Sequence, residues 1–364
     1  LGVFNGGFID EVMRNKICVI QYSFLPKHFA QMRVAQELGF QVIQILQVNS
    51  TDTTYPNVVL MHLGAKNKLV ELFTVLVFIF KQRRSLHHLE IYPASYFSAI
   101  YTLWARLLGI KVICVERGDL VYYRPKKKGG YNFLIRSSMY LCYKWANVVW
   151  YKELFMRPIL ERMGVKHMFL IHNVVDVPRS EAAKYSDRTI DFLWVNRIVP
   201  ERKYQWLVKF CNSRKETNNL IVGLRSGDSD NWQLEKKLVA SLESNTQAIA
   251  FSDPTPYYRQ AKYFVLASDL VYLNNALLEA MSYGVVPIIS NVSGADLIVT
   301  HDIDGWLADH NEESFCDALS RAYQTTESEW FKRSSKTIEK VKTHFSLDYY
   351  RVQLKELYKF SESV

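Results

Sequence analysis

The sequence predicts an α/β protein made of two doubly wound parallel-sheet domains. Strand-length apolar runs alternate with helix-length amphipathic ones, the pattern of βα units whose strands are covered on both faces. The alternation starts afresh after a polar stretch near residue 180. A chain of 364 residues also exceeds one ordinary core and suits two domains of typical size.

In the first half, residues 17–23 (ICVIQYS) predict a buried strand, 30–38 a helix and 41–48 the next strand. A helix over 99–108 and strands over 110–115 and 147–151 follow, with Gly39 and Gly109 placed to end helices. The second half opens with a strand at 190–195, a helix at 204–211 and a strand at 220–223. A helix near 234–242 and strands at 248–251 and 263–266 come next. Residues 277–290 (LLEAMSYGVVPIIS) give a helix, a glycine stop and a β-branched strand. Polar residues 177–187, which include Pro178, divide the halves. The expected organisation is an N-terminal domain 1–178, a C-terminal domain 179–345 and a final helical segment 346–364.

A hydrophobic content of 49% with 22% charged residues is globular composition and excludes a disordered chain. Five cysteines lie far apart without a CxxC, which argues for a reducing compartment and against a structural zinc site. No N-terminal stretch has signal-peptide order, so a cytoplasmic location is expected. Residues 1–178 carry 22 Lys+Arg against 11 Asp+Glu, so the whole net charge of +9 lies there and the remainder is −2. Such asymmetry points to an anionic partner surface, nucleic acid or acidic lipid. No recognisable nucleic-acid module accompanies it, which leaves lipid. Two stretches suit a peripheral membrane contact: 66–84 (KNKLVELFTVLVFIFKQRR), too short in its apolar part to span a bilayer, and 124–130 (RPKKKGG) among aromatics. The first fits a helix buried against the sheet equally well, and the second fits a basic loop.

Glu279 is the one carboxylate on the 277–283 helix, whose apolar face is Leu277, Leu278, Met281 and Tyr283. Taken alone, the pattern suits a solvated glutamate as well as one that accepts both hydroxyls of a ribose. After the strand ending at Val195 comes NRIVPERK, with Arg197, Arg202 and Lys203. Taken alone, such a charge run suits a solvated surface loop better; cations just beyond a strand end, beside a helix N-terminus, can also neutralise a departing diphosphate without a metal. Two DxD sequences, Asp228-Ser229-Asp230 and Asp302-Ile303-Asp304, sit in turns whose chemistry explains them, so no metal is expected.

Residues 257–268, 277–290, 290–299 and 304–308 (DGWLA) together resemble the donor-binding half of retaining GT-B glycosyltransferases of the family-4 type. The resemblance implies a GT-B fold, two Rossmann-like domains with a central cleft. In the family's pattern Glu279 stands at the second glutamate of E-x7-E and is implied to hold the ribose. Val271 replaces the first glutamate, Ser268 ends a strand, and Asp296 is the later acid. NRIVPERK resembles the family's basic segment, with Arg197 and Lys203 (or Arg202) on the diphosphate. Backbone near Phe251 and Ser252 would meet the base. Asn274, Asn275 and Ala276 replace the glycine-rich donor-sugar turn. The stretch 110–119 (IKVICVERGD) is similar to another family strand, with Arg117 in the position of a histidine near the sugar. The glycine-rich loop after the first strand is replaced by Phe24-Leu25-Pro26-Lys27-His28, with His28 as an acceptor-side candidate.

The implied activity is retaining, metal-independent hexosyl transfer from a UDP- or GDP-sugar, a co-substrate rather than a cofactor. The acceptor would be a glycan or lipid-linked glycan, in cell-surface polysaccharide assembly at the inner face of the membrane. Val271 and the missing loop favour a non-catalytic GT-B partner or regulatory subunit as the alternative. A dinucleotide-dependent oxidoreductase lacks its signature, because no GxGxxG follows either opening strand.

Overall fold

A computed structural model of the protein describes residues 15–21, 28–46, 56–63, 67–93, 95–117, 130–178, 183–225, 231–269 and 274–364. Residues 24–27, Asp119, the basic run 124–129, the DxD at 228–230 and Val271 lie outside these. The chain forms two units. Unit 1 takes the described residues up to Lys152, then Met156–Ile171 and Arg351–Val364; unit 2 takes Glu153–Phe155 and His172–Tyr350.

In chain order unit 1 contains β1 (Lys16–Gln21), α1 (Phe29–Glu37), β2 (Gln41–Leu46), β3 (Val59–His62), α2 (Lys68–Gln82) and β4 (Leu86–Ile91). Then come α3 (Ser98–Leu107), β5 (Lys111–Glu116), α4 (Gly130–Trp145), β6 (Val148–Tyr151), α5 (Arg157–Arg162) and β7 (Met168–Leu170). The strands form one parallel sheet in the order β3-β2-β1-β4-β5-β6-β7. Its direction of growth reverses between β1 and β4, the topological switch point of a doubly wound sheet.

Unit 2 repeats the plan with β8 (Ile190–Val195), α6 (Tyr204–Ser213), β9 (Asn219–Leu224), α7 (Trp232–Ala240), β10 (Thr246–Ala250), α8 (Thr255–Tyr258) and β11 (Ala261–Leu266). It continues with α9 (Asn275–Ser282), β12 (Val286–Ser290), α10 (Ala295–Ile298), β13 (Trp306–Ala308), α11 (Glu312–Tyr323) and α12 (Glu327–His344). Its parallel sheet runs β10-β9-β8-β11-β12-β13. Because side chains alternate along a strand, Leu193 and Val195 join one buried layer with Leu278, Met281 and Val341. Phe192 and Trp194 join the opposite layer with Leu207, Phe210 and Leu319. Gly284, at φ 76°, stops α9 and turns the chain into β12. Thr326 and Glu329 form a capping box that starts α12.

The final helix α13 (Leu347–Ser363) gives most of its length to unit 1. There it completes a polar core: the Tyr358 hydroxyl donates to Glu90 Oε1 at 2.9 Å, and His88 Nε2 lies 3.2 Å from the same oxygen. Gln31 Nε2 donates to the other oxygen of Glu90. His88 and Glu90 are both fully buried on β4, so these partners are what make a buried carboxylate tolerable. No helix among the described residues is long and apolar enough to cross a membrane.

Candidate active site

In open α/β sheets ligands gather beyond the strand carboxyl ends at the switch point. In unit 2 that point lies between β8 and β11, and the loops following these strands are laced together there. Arg202 and Ser268 form an antiparallel bridge. The Lys203 N–H donates to Ala267 O at 2.9 Å, and the Asp269 N–H to Glu201 O at 3.0 Å. Side chains repeat the tie. Arg202 Nη1 donates to Ser268 Oγ at 2.9 Å, and Lys203 Nζ pairs with Asp269 Oδ1 at 2.9 Å. His310 Nε2 meets that same oxygen at 2.9 Å. Lys203 is therefore positioned by a carboxylate before any ligand arrives.

Arg197 differs. Its side chain is exposed and has no hydrogen-bond or ion-pair partner among the described residues, while its backbone N–H donates to Asn196 Oδ1 at 3.0 Å. The turn it rides on is pressed against β9. A Cβ on Gly223 would sit 1.9 Å from Asn196 O, so only glycine lets the turn approach this closely. Asn196 Nδ2 is buried there without a hydrogen-bond partner among the described residues.

Glu279 leaves the apolar face of α9, as its neighbours require. Leu277, Leu278, Ala280 and Met281 are fully buried, whereas the Glu279 carboxylate turns to the Tyr258 hydroxyl, 3.1 Å from Oε2. Burial pushes the Glu279 carboxyl above its ordinary range; the Tyr258 hydrogen bond opposes that shift and nearby Asp253 adds to it. Asn274 caps α9 by accepting from the Leu277 N–H at 3.3 Å. Asn275 Oδ1 is buried without a partner among the described residues, and Ala276 packs against the apolar layer. Phe251 is 65% exposed after β10, with its N–H donating to Leu224 O at 2.9 Å, and Ser252 beside it is exposed. Asp296 is exposed on α10, after Gly294.

The second DxD is spoken for by its own unit. Asp302 pairs with Arg321 Nη2 at 2.8 Å, and Asp304 accepts from the Thr300 N–H at 2.6 Å and faces Lys340 Nζ at 3.5 Å. In unit 1, the separate candidates His28 and Arg117 meet. Arg117 Nη1 donates to His28 Nε2 at 2.9 Å, so that nitrogen is unprotonated. The Arg117 guanidinium also lies 4.6 Å from the centre of the Tyr92 ring. Both occupy the carboxyl edge of their sheet, and His28 is 2% exposed.

Residues 189–325 match a family model described as Glycosyl transferases group 1. The matched segment lies wholly within unit 2. It covers the loops of Arg197, Lys203 and Glu279. No curated protein matches the chain. Solved structures similar to it include Anabaena HepE in complex with UDP and glucose, at 14% identity and TM-score 0.74, covering 94% of this chain and 98% of that one. Sucrose-phosphate synthase from Thermosynechococcus elongatus is similar at 15% identity and TM-score 0.72, covering 95% and 98%. The lipopolysaccharide outer core galactosyltransferase WaaB is similar at 14% and 0.70, covering 95% and 99%. Two parallel doubly wound sheets and these likenesses make the fold GT-B.

Asp269, His310, Tyr258 and Gly223 are absent from the sequence expectations. Asp269 shows how they bear on the site. Burial alone would raise its carboxyl, but the hydrogen bonds from Lys203 and His310 outweigh that and hold it below the usual range. A depressed carboxylate stabilises the fold above its unfolded pKa and loses that contribution as pH falls through the folded one. Asp269→Asn should therefore melt below the wild type at neutral pH and converge with it on acidification. A constant gap across an acid melting series would mean the ion pair contributes nothing.

Proposed function

We propose that the chain is a retaining, metal-independent hexosyltransferase that uses a UDP- or GDP-sugar as donor. The reading is supported by one observation above all. An exposed guanidinium without a partner among the described residues, Arg197, stands at the switch point of unit 2, in the segment that matches the group 1 glycosyltransferase model, next to a second cation fixed by its own carboxylate. Arg197 and Lys203 (with Arg202 as the neighbouring donor) stabilise charge on the leaving diphosphate. Glu279 accepts the ribose hydroxyls, and Asn274, Asn275 and Ala276 face the donor sugar. Phe251 and Ser252 meet the base. His28 is proposed as an acceptor-side residue and Arg117 as a further active-site residue.

The acceptor hydroxyl attacks the anomeric carbon on the face from which the diphosphate departs. Its oxygen forms the new glycosidic bond as the old carbon–oxygen bond breaks, and a leaving phosphate oxygen takes its proton. This front-side course retains configuration without a carboxylate nucleophile or a metal. The acceptor is a glycan or lipid-linked glycan of a cell-surface polysaccharide, and the protein works peripherally on the inner face of the membrane. HepE carries UDP and glucose and WaaB is a lipopolysaccharide galactosyltransferase, which supports trying UDP-sugars first.

Arg197→Ala should lower affinity for the nucleotide sugar roughly tenfold to a hundredfold, the worth of a lost charge-assisted contact, and leave thermal unfolding unchanged. Thermal shift against UDP-, GDP- and ADP-sugars without added metal checks it. An unaltered affinity removes the diphosphate assignment. Silence of the folded wild type across the panel favours a second reading, a non-catalytic GT-B partner or regulatory subunit. Val271, in place of a glutamate, is the observation on its side.

A further inference from the structure

Helices of a soluble domain turn apolar residues inward and polar ones outward. Three adjacent helices of unit 1 are apolar on both sides: Val75, Ile79, Tyr101, Ala105, Ile135 and Met139 are buried, and large apolar side chains also face outward. On α2 the exposed large apolar side chains are Leu69, Val70, Phe73, Val77 and Phe80, whereas Glu71 is 2% exposed and held by Lys68 Nζ at 2.8 Å. On α3 Ser98 and Thr102 are buried, and Ile100, Leu103 and Leu107 point outward, Leu107 at 71% exposure. On α4 Ser138 is buried, and Phe133 (70% exposed), Leu134 and Tyr140 face out.

The three helices lie side by side. Trp104 Nε1 donates to Leu76 O at 3.0 Å and joins α3 to α2; the Ala99 N–H donates to Ser138 Oγ at 3.1 Å and joins α3 to α4. Their outward stripes therefore belong to one surface, an apolar patch well beyond the scattered leucines of an ordinary exterior.

Charge decides what covers it. Glu71 is the only acidic residue in α2, α3 and α4, and it is buried. Exposed cations surround the stripes: Lys68, Lys81, Arg84, Arg106, Arg136 and Lys144. A second copy would set cations against cations. A bilayer surface carrying anionic headgroups satisfies both parts at once, taking the apolar side chains below the headgroups and the cations among them.

The geometry points to the outward face of α2, α3 and α4 as a docking surface for an anionic lipid bilayer, entered to interfacial depth. At 15 residues α2 is about 22 Å long, short of a hydrocarbon core about 30 Å thick, so it lies on the membrane. The inference rests on the membrane-side part of the proposed function, deepens it and adds the outward faces of α3, expected from sequence only as a helix, and of α4. It needs no sugar transfer to be tested.

Co-sedimentation with vesicles decides it. The wild type should pellet with vesicles in which about one lipid in three is phosphatidylglycerol, less so as salt rises, and stay in solution with pure phosphatidylcholine. The combined variant Phe73→Ser, Leu103→Ser, Phe133→Ser should keep the wild-type melting temperature, because all three sites are exposed, and lose at least about tenfold in partitioning. Lys81→Glu with Arg84→Glu should also weaken binding and flatten its salt dependence. A wild type that ignores both vesicles, or a serine variant that binds as well as it does, overturns the assignment. So does a wild-type dimer that the serine variant abolishes, which would make the face an interface between copies. Nucleotide-sugar thermal shift on the same variants should be unchanged. Lost vesicle binding with that shift intact concerns the docking face alone, and a missing shift with vesicle binding intact concerns the donor site alone.

Discussion

Glu279→Gln is expected to give a protein that melts higher and binds nucleotide less tightly. Burial and Asp253 raise the carboxyl of Glu279 above its ordinary range, against the hydrogen bond from Tyr258. A raised folded-state pKa means that the fold prefers the protonated form: its contribution is whole below the unfolded pKa and is lost as pH rises through the folded one. Glutamine keeps the shape and an oxygen for the Tyr258 hydroxyl and never ionises. The gain in melting temperature of the variant should therefore grow with pH through that interval and vanish in acid. Binding moves the other way. Two ribose hydroxyls that met a carboxylate would meet a neutral amide, which weakens both hydrogen bonds and lowers affinity roughly tenfold to a hundredfold. Calorimetric melting over a pH series and nucleotide titration at one pH test the two halves separately. A variant that binds UDP or GDP as the wild type does would take the ribose role from Glu279.

Gly223→Ala should be the most destabilising single methyl in unit 2. The added carbon would fall 1.9 Å from the Asn196 carbonyl oxygen, a backbone atom that no rotamer change can move aside. Either β9 or the turn that carries Arg197 must shift, at about 3 kcal/mol, near the upper end of ordinary overpacking. For a unit of this size that lowers the melting temperature by about 6–12 °C. Because the strain is borne by the Arg197 turn, nucleotide affinity should fall even at temperatures where the variant is folded. Wild-type melting and affinity together would mean that the turn stands off from β9 in solution.

The parts of the fold that sequence exposes are those whose burial pattern is uniform. Strand β8 (IDFLWV) is apolar enough to be found at its observed ends, and α9 with its glycine stop is equally plain. Strand β4 (LHHLEI) escapes the same reading because His88 and Glu90 look like surface residues. Their burial depends on Gln31 and Tyr358, distant in sequence, and no local pattern announces such partners. The outward apolar stripes of α2 and α3 are hidden for a related reason, since periodicity alone does not say which stripe faces the sheet. At the candidate site the cations and Glu279 are singled out by the resemblance, because residue type and spacing alone suit solvated side chains as well. Asp269 and His310 are not, because the Asp269 carboxylate pairs with Lys203, 66 residues away, and with His310, 41 residues away. The clearance at Gly223 is likewise a property of two loops meeting in space.

The split of unit 1 along the chain bears on how the protein is made. Its Glu90 lacks the Tyr358 hydroxyl until Arg351–Val364 have been synthesised, and those residues follow the whole of His172–Tyr350. At ribosomal speed that interval is on the order of ten seconds or more, longer than many domains need to fold. Unit 2 is contiguous over nearly all its length and can fold as it emerges, whereas unit 1 waits with a carboxylate short of a partner and a sheet short of its last helix. Completion of the earlier domain is thus a late event of high contact order. A nascent chain arrested before residue 351 should carry a protease-resistant second unit and a protease-sensitive first one.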